Sequence, residues 1–313
     1  MNPLSLVYGG IGAVRNAVYD AGWREAKRLA GPVVSVGNLA AGGTGKTPFV
    51  ILLGALLAQR GIKMDVLSRG YGRRTRGVAL VDPEGSAAEF GDEPLLIARR
   101  LGVPVVVGED RFAAGLFAEK HLGPQLHLLD DGFQHRRLYR DFNIVLLAGG
   151  DASDQLLPVG RLREPLKALR RADAIVIEDD GSFPVEAESK LGWTIRRGVE
   201  LPDPPPHPVV FCGIARSERF IEQLRAQGVV AAATRSFRDH HAYSEGDVRS
   251  LVALKEQSGS DGFVTTEKDE INLGSLKGAL GRVAIARVTM ELANADAAVE
   301  AMLNMVERRR LGS

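Results

Sequence analysis

From residue 31 onward, short apolar runs alternate with longer segments whose apolar positions recur at helical spacing. Residues 33–36, 63–67, 78–81, 103–107, 126–129, 144–147 and 174–177 read as strands. Residues 49–59, 93–101, 111–120 and 165–171 read as helices. Strands that are apolar at nearly every position are buried on both faces. The pattern therefore predicts an α/β fold with a mostly parallel sheet and helices on both sides. Residues 201–208 (LPDPPPHP) carry five prolines and suit neither a central strand nor a helix interior. Beyond them the rhythm resumes. Strands are expected at 209–212, 229–233, 263–265 and 283–288, and helices at 218–227, 246–256 and 295–309, with Asn294 placed to cap the last. This divides the chain into an N-terminal segment over 1–30, a larger α/β domain over 31–200, a linker over 201–208 and a smaller α/β domain over 209–313.

The N-terminal segment breaks the pattern. Residues 3–14 (PLSLVYGGIGAV) are apolar up to Arg15, which is too short for a span of about 20 residues. No charged stretch precedes the run and no small-residue cleavage site follows it, so it is a poor signal peptide. Arg15, Tyr19, Trp23, Arg24, Lys27 and Arg28 come next. That mixture suits a helix lying in a membrane interface, and a helix packed on the protein's own core fits the periodicity equally.

Composition narrows the class. With 313 residues, 45% hydrophobic and 25% charged, the chain is neither disordered nor a multi-span membrane protein. Forty basic against 39 acidic residues give +1, which argues against nucleic-acid binding through bulk charge. A single cysteine, Cys212, excludes an internal disulfide and points to a reducing compartment.

The sharpest chemical signal is residues 35–48, SVGNLAAGGTGKTP, between an apolar strand and an apolar helix. That context is the one in which a phosphate-binding P-loop works. Gly42, Gly43, Thr44 and Gly45 would turn backbone N–H groups toward a phosphate at a helix N-terminus. Lys46 would reach the β- and γ-phosphates, and Thr47 would hold Mg²⁺. The usual pattern has a glycine where Ala40 stands.

Residues 126–131 (LHLLDD) are an apolar strand ending in Asp130 and Asp131, where a P-loop domain places its metal carboxylate. A turn cap is the plain alternative. Asp92, in GDEP over 91–94, reads from sequence alone as a helix cap and otherwise as a general base near the phosphate loop. His240 and His241 stand in a polar stretch, either a solvated loop or a partner for a catalytic carboxylate. Arginines cluster at 69–76, 136–140 and 161–171, each after an expected strand, which suits an anionic acceptor or an anionic membrane surface.

Taken together, the chain resembles the tetraacyldisaccharide 4′-kinase (lipid A 4′-kinase) family of Gram-negative bacteria. The resemblance rests on residues 35–48, 68–72 (SRGYG), 91–94, 130–136 (DDGFQHR), 160–165 (GRLREP), 239–243 (DHHAY) and 265–269 (TTEKD), in order over nearly the whole chain. The family's loop reads GGTGKT without the upstream glycine, so Ala40 is no obstacle. The resemblance implies a P-loop kinase domain with a smaller second domain, ATP and Mg²⁺ as cofactors, and phosphoryl transfer to the 4′-hydroxyl of a lipid-linked glucosamine disaccharide 1-phosphate. It also implies a peripheral place on the cytoplasmic face of the inner membrane. It makes Asp92 the base with His240 as partner, and Asp130 and Asp131 metal or active-site carboxylates, without saying which touches Mg²⁺. Glu164 becomes a further metal or supporting carboxylate. Arg69, Tyr71, Gln134, His135 and Arg163 become substrate or supporting residues, and 265–269 is expected to meet the nucleotide from the second domain. The rival readings are a P-loop ATPase or GTPase acting as a switch or metallochaperone, and a soluble kinase for a small polar metabolite.

Overall fold

The computed structural model describes residues 3–179 and 181–312. Helix α1 (Pro3–Asp20) leads, and residues 21–32 then run irregularly to strand β1 (Val33–Asn38). The N-terminal helix is thus shorter than the 1–30 segment expected, and residues 1 and 2 of that segment lie outside the described residues. After β1 come α2 (Lys46–Gln59), β2 (Met64–Ser68), β3 (Ala79–Leu80), α3 (Ala87–Phe90), α4 (Asp92–Leu101), β4 (Val105–Val107), α5 (Arg111–His121), β5 (Leu126–Asp130) and β6 (Phe142–Leu146). A 3₁₀ segment, Leu166–Arg171, replaces the helix expected at 165–171, and β7 (Ala174–Glu178) follows. The second part of the chain holds β8 (Leu191–Glu200), β9 (Pro208–Cys212), α6 (Ser217–Ala226), β10 (Ala233–Ser236), α7 (Glu245–Gln257), β11 (Gly262–Thr266), α8 (Glu267–Leu273), β12 (Val283–Leu292) and α9 (Ala295–Leu311).

The strands form one sheet in the order β10-β9-β11-β12-β8-β7-β6-β1-β5-β2-β4-β3. Its pairings are parallel except β3 with β4 and β8 with β12. Two long strands join its halves. The first part of β8 pairs with β7 and its last six residues, Ile195–Glu200, pair with β12. β12 in turn gives Val283–Ala286 to β11 and Arg287–Leu292 to β8.

α2 is apolar all round because it is enclosed. Phe49, Val50, Leu53 and Leu57 are fully buried against the sheet, α4 and α9. Val299 and Met302 of α9 join this same core, with Phe142 and Trp193. The expected unit at 209–313 therefore divides, since its last helix closes the core that supports the phosphate loop. The far half of the sheet has its own apolar layers, with Phe220 and Leu224 of α6 on one face and Tyr243, Leu251 and Phe263 on the other.

Two local expectations fail for identifiable reasons. Residues 229–233 are apolar, yet the edge strand begins at Ala233, where pairing with β9 sets the register. Asn294 does not cap α9 through its side chain; it takes a left-handed turn (φ 50°) that redirects the chain.

If α9 completes the main core, Met302→Ala should lower unfolding stability by about 2–5 kcal/mol, as for other buried Met-to-Ala changes. Urea denaturation measures this. A change below about 0.5 kcal/mol, typical of surface substitutions, would show that α9 is peripheral.

Candidate active site

The loop between β1 and α2 is shaped from its own residues. Asn38, at the end of β1, donates through Nδ2 to Ala40 O (2.5 Å) and Thr44 Oγ1 (2.8 Å), tying the loop's start to its middle. Gly42, Gly43 and Gly45 all take positive φ (78°, 40° and 85°). Gly45 is irreplaceable on two grounds, since a Cβ there would also lie 1.9 Å from Arg197 Nη2. α2 starts at Lys46, so its free N–H groups open into the loop.

The carboxylates ending β5 stand in opposite states. Asp131 adopts φ 48° and lies 3.5 Å from Lys46 Nζ and 3.1 Å from Arg163 Nη1. Partial burial raises its pKa, but Lys46 and Arg163 outweigh that and hold it below the ordinary value. Asp130 is buried. Ser68 Oγ donates to its Oδ2 (3.0 Å), and its Oδ1 has no hydrogen-bond partner among the described residues. Burial first, then repulsion from Glu93 and Asp131, pushes Asp130 up to about 7. An orphaned carboxylate oxygen on the cavity that Thr47 and the phosphate loop also line is a fitting place for a hard dication. No group of three or more His, Cys, Asp or Glu side chains arranged for a metal occurs among the described residues. Mg²⁺ asks for less, since it is commonly held by one or two carboxylates together with waters and phosphate oxygens.

Facing this wall across a cavity of about 480 Å³ are loops and element ends from the far half of the sheet, including Ala215, Arg216, Asp239, His240, Thr266, Glu267 and Lys268. Asp269 sets their positions from behind. Its buried carboxylate accepts from Gly213 N (2.8 Å), Tyr243 Oη (2.8 Å) and Thr266 Oγ1 (2.5 Å), one from each of three loops. His240, at φ 55°, directs Nδ1 to both oxygens of Asp92, 2.9 and 3.0 Å away.

Asp92 is the first residue of α4, after the N-cap Gly91, and its Oδ1 accepts from Glu93 N (2.9 Å), so it serves the helix start from one position later than a cap. Its carboxylate also accepts from Asn272 Nδ2 (3.0 Å) and meets His240. Burial raises the Asp92 pKa, and His240, Lys268 and Asn272 outweigh it, so the carboxyl stays below its ordinary value. Burial lowers the His240 pKa. The hydrogen bond and charge of Asp92 overcome both burial and Lys268, whose Nζ lies 3.2 Å from Nε2, and the net shift is upward. Tyr71 flanks the pair, its ring centroid 5.1 Å from that of His240.

Most of the expected site residues meet here. Gly42–Thr47, Arg69, Tyr71, Asp130, Asp131, Arg163 and His240 line the cavity, and Asp92 lies directly behind His240. Three do not. Glu164 is buried and outside the lining residues; its Oε2 accepts from Asn16 Nδ2 of α1 (2.7 Å) and Arg171 Nη2 (2.5 Å), and its Oε1 has no hydrogen-bond partner among the described residues. Gln134 supports the loop from behind, donating to Asn38 O (2.8 Å). His135 also lies outside the lining residues; burial and Arg111 push its pKa down to about 4, so it is neutral at pH 7.

Sequence reasoning missed Ser68, Asn272 and Arg197, whose Nη2 donates to Thr44 O of the loop (3.2 Å). Ser68 stood within 68–72 and Lys268 within 265–269, both motif segments, but neither segment said what its residue contacts.

The raised pKa of His240 has a testable sign. Its link to Asp92 is fully present below the unfolded-state pKa of about 6.5 and is lost as pH rises through the higher folded value. The melting-temperature gap between the wild type and His240→Ala should therefore shrink from pH 6 to pH 9. A gap that widens would show that imidazolium does not form there.

A family model described as "Tetraacyldisaccharide-1-P 4'-kinase" matches residues 1–307 of this chain. The chain is 50% identical over 323 residues to a tetraacyldisaccharide 4'-kinase of Koribacter versatilis, covering 99% of this chain and 100% of that protein. It is 39% identical over 301 residues to the protein of that name from Aquifex aeolicus, covering 87% and 88%. A crystal structure of LpxK from Aquifex aeolicus, described as an "apo" form in complex with ATP, matches with TM-score 0.79 at 34% identity over 97% of both chains.

Proposed function

The chain belongs to the tetraacyldisaccharide-1-P 4′-kinase family, and we propose how its cleft carries out that family's phosphoryl transfer. It is an ATP-dependent lipid kinase of lipid A biosynthesis, a phosphotransferase whose acceptor is a lipid-linked disaccharide. The readings as a switch, a metallochaperone or a kinase for a small polar metabolite fall with that membership.

In the proposed mechanism, loop N–H groups from Gly42 to Thr47 and the Lys46 ammonium cradle the β- and γ-phosphates. Lys46 exchanges its contact with Asp131 for phosphate oxygens. Thr47, Asp130 and Asp131 would hold Mg²⁺, which supplies neutralisation of phosphate charge. Arg163 keeps Asp131 oriented through its own contact with that carboxylate. Asp92 takes the proton of the 4′-hydroxyl as that oxygen bonds to the γ-phosphorus, and the bond to the β–γ bridging oxygen breaks to release ADP. His240 and Asn272 orient Asp92, and the positive charge that His240 and Lys268 keep nearby holds it ionised. The observation that carries this reading is the Asp92–His240 pair, with His240 on the cavity the phosphate loop lines.

The test is transfer of ³²P from γ-labelled ATP to a tetraacyl disaccharide 1-phosphate. The wild type should label the lipid. Asp92→Asn should lower turnover by about 10²–10⁴-fold, the range for losing a general base, with ATP affinity little changed. Loss of ATP binding with normal residual chemistry would reject the base assignment.

We also propose that α1 rests on the cytoplasmic face of the bacterial inner membrane. Among the described residues no helix is long and apolar enough to cross a membrane. Val14 and Trp23 are 66% and 82% exposed, with basic Arg15 and Arg24 also exposed beside them. Polar contacts fasten the helix. Ser5 Oγ donates to Leu156 O (3.0 Å), Asn16 donates to Glu164, and Arg136 pairs with Asp20 (2.8 Å). In a liposome flotation assay, Val14→Asp together with Trp23→Asp should release the protein; unchanged flotation would sink the interfacial role.

A further inference from the structure

The arginine-rich loop between β2 and β3 encloses a second cavity, of about 580 Å³, lined by Arg69, Tyr71, Arg73, Arg74, Arg76 and Glu109 among others. It adjoins the catalytic cavity, with Arg69 and Tyr71 lining both. The loop is built rather than loose. Gly70, Gly72 and Gly77 take positive φ, and Arg74 N donates to Ala88 O (2.7 Å). Arg73, its side chain 2% exposed, donates to Gly77 O (2.5 Å) and Glu109 Oε1 (2.8 Å), while its Nε and Nη1 are buried without partners. Glu109, the cavity's one acidic lining residue, is thus already engaged. Arg69, Arg74 and Arg76 make no side-chain ion pair or hydrogen bond among the described residues. Concentrated, unneutralised guanidinium groups in an ordered concave site suit a phosphate monoester, which they can grip through paired N–H donors.

We propose that this cavity binds the 1-phosphate of the acceptor, with Arg74 and Arg76 as its specificity-determining contacts. The inference rests on the kinase reading above, which supplies the acceptor. A disaccharide bearing its reacting hydroxyl at one end and a phosphate at the other needs two neighbouring subsites. The Tyr71 side chain stands where they meet, its ring beside His240. The site selects acceptors that carry the phosphate and places their far end next to Asp92.

The experiment compares two acceptors, the tetraacyl disaccharide with and without its 1-phosphate, in mixed micelles. Arg74→Gln with Arg76→Gln should lower kcat/KM for the phosphorylated acceptor by roughly 10-fold or more, mainly through KM, the scale of losing a charge-assisted hydrogen bond. On the acceptor lacking the phosphate, variant and wild type should be equal, and the KM for ATP should not move. Arg74→Lys with Arg76→Lys should recover part of the loss. An equal loss on both acceptors, or none on either, would overturn the proposal. So would a loss that follows added phosphatidylglycerol rather than the acceptor's phosphate, since the loop would then contact a lipid surface. If the wild type labels neither acceptor, the kinase reading itself fails and the subsite with it.

Discussion

The antiparallel pairing of β8 with β12 fixes how the two halves of the sheet meet, and the cleft depends on that register. Arg197 on β8 stands opposite Met290 on β12. Both side chains reach Gly45, whose missing Cβ would lie 1.9 Å from Arg197 Nη2 and 2.7 Å from Met290 Cε. A one-residue slip of either strand would turn its side chain at this position to the opposite face, since alternate residues of a strand point opposite ways. The phosphate loop is thus closed from one side by its own glycines and from the other by a strand pair far later in sequence. Its geometry is a property of the whole sheet, although the loop itself looks like a local motif.

Charge is distributed to match this closure. Arg197, Arg216 and Arg219 come toward the loop from the far half, with Glu178 as a shared counter-ion for Arg197 and Arg219. Burial and mutual repulsion lower the pKa values of Arg197 and Arg216. They remain cationic, because an arginine pKa starts far above neutrality. Without nucleotide, this half of the cavity carries more positive charge than its carboxylates neutralise, a state that a polyphosphate relieves. The acidic groups follow the same logic. Asp131 is held ionised between two cations, whereas Asp130 is left where ionisation is costly until a cation arrives.

How much of this could be read from sequence followed from the burial of each element. β1, β5, β6 and β9 are buried at every position, so their apolar runs stand out and the parallel sheet was legible. β8 was not. Trp193, Ile195 and Val199 face the core, but Arg196, Arg197 and Gly198 interrupt them, because this strand must also present a cation to the loop. The site followed a similar rule. Residues whose chemistry is local, such as Lys46 and the aspartates after β5, were legible in their motifs. Asn272 and Ser68 were not, because each acts on a carboxylate 180 or 62 residues away and neither residue type advertises the contact. Glu164 shows the converse. It adjoins Arg163 in a segment that resembles a site motif, yet neighbours in sequence can face opposite ways.

That divergence gives the segment its meaning. Arg163 turns toward Asp131 at the phosphate loop, and the next residue, Glu164, turns toward Asn16 and Arg171 beneath α1. Glu164 is 1% exposed, so losing the α1 contact would leave a buried carboxylate oxygen with one donor fewer, a state that costs about 1–3 kcal/mol or more when the group is charged. The N-terminal helix is thereby held by groups whose unpairing is expensive rather than by apolar contact alone. Two consecutive residues therefore connect α1 to the Asp131 carboxylate at the phosphate loop. The contact with α1 and the contact with the phosphate-loop carboxylate are thus made by side chains one peptide unit apart.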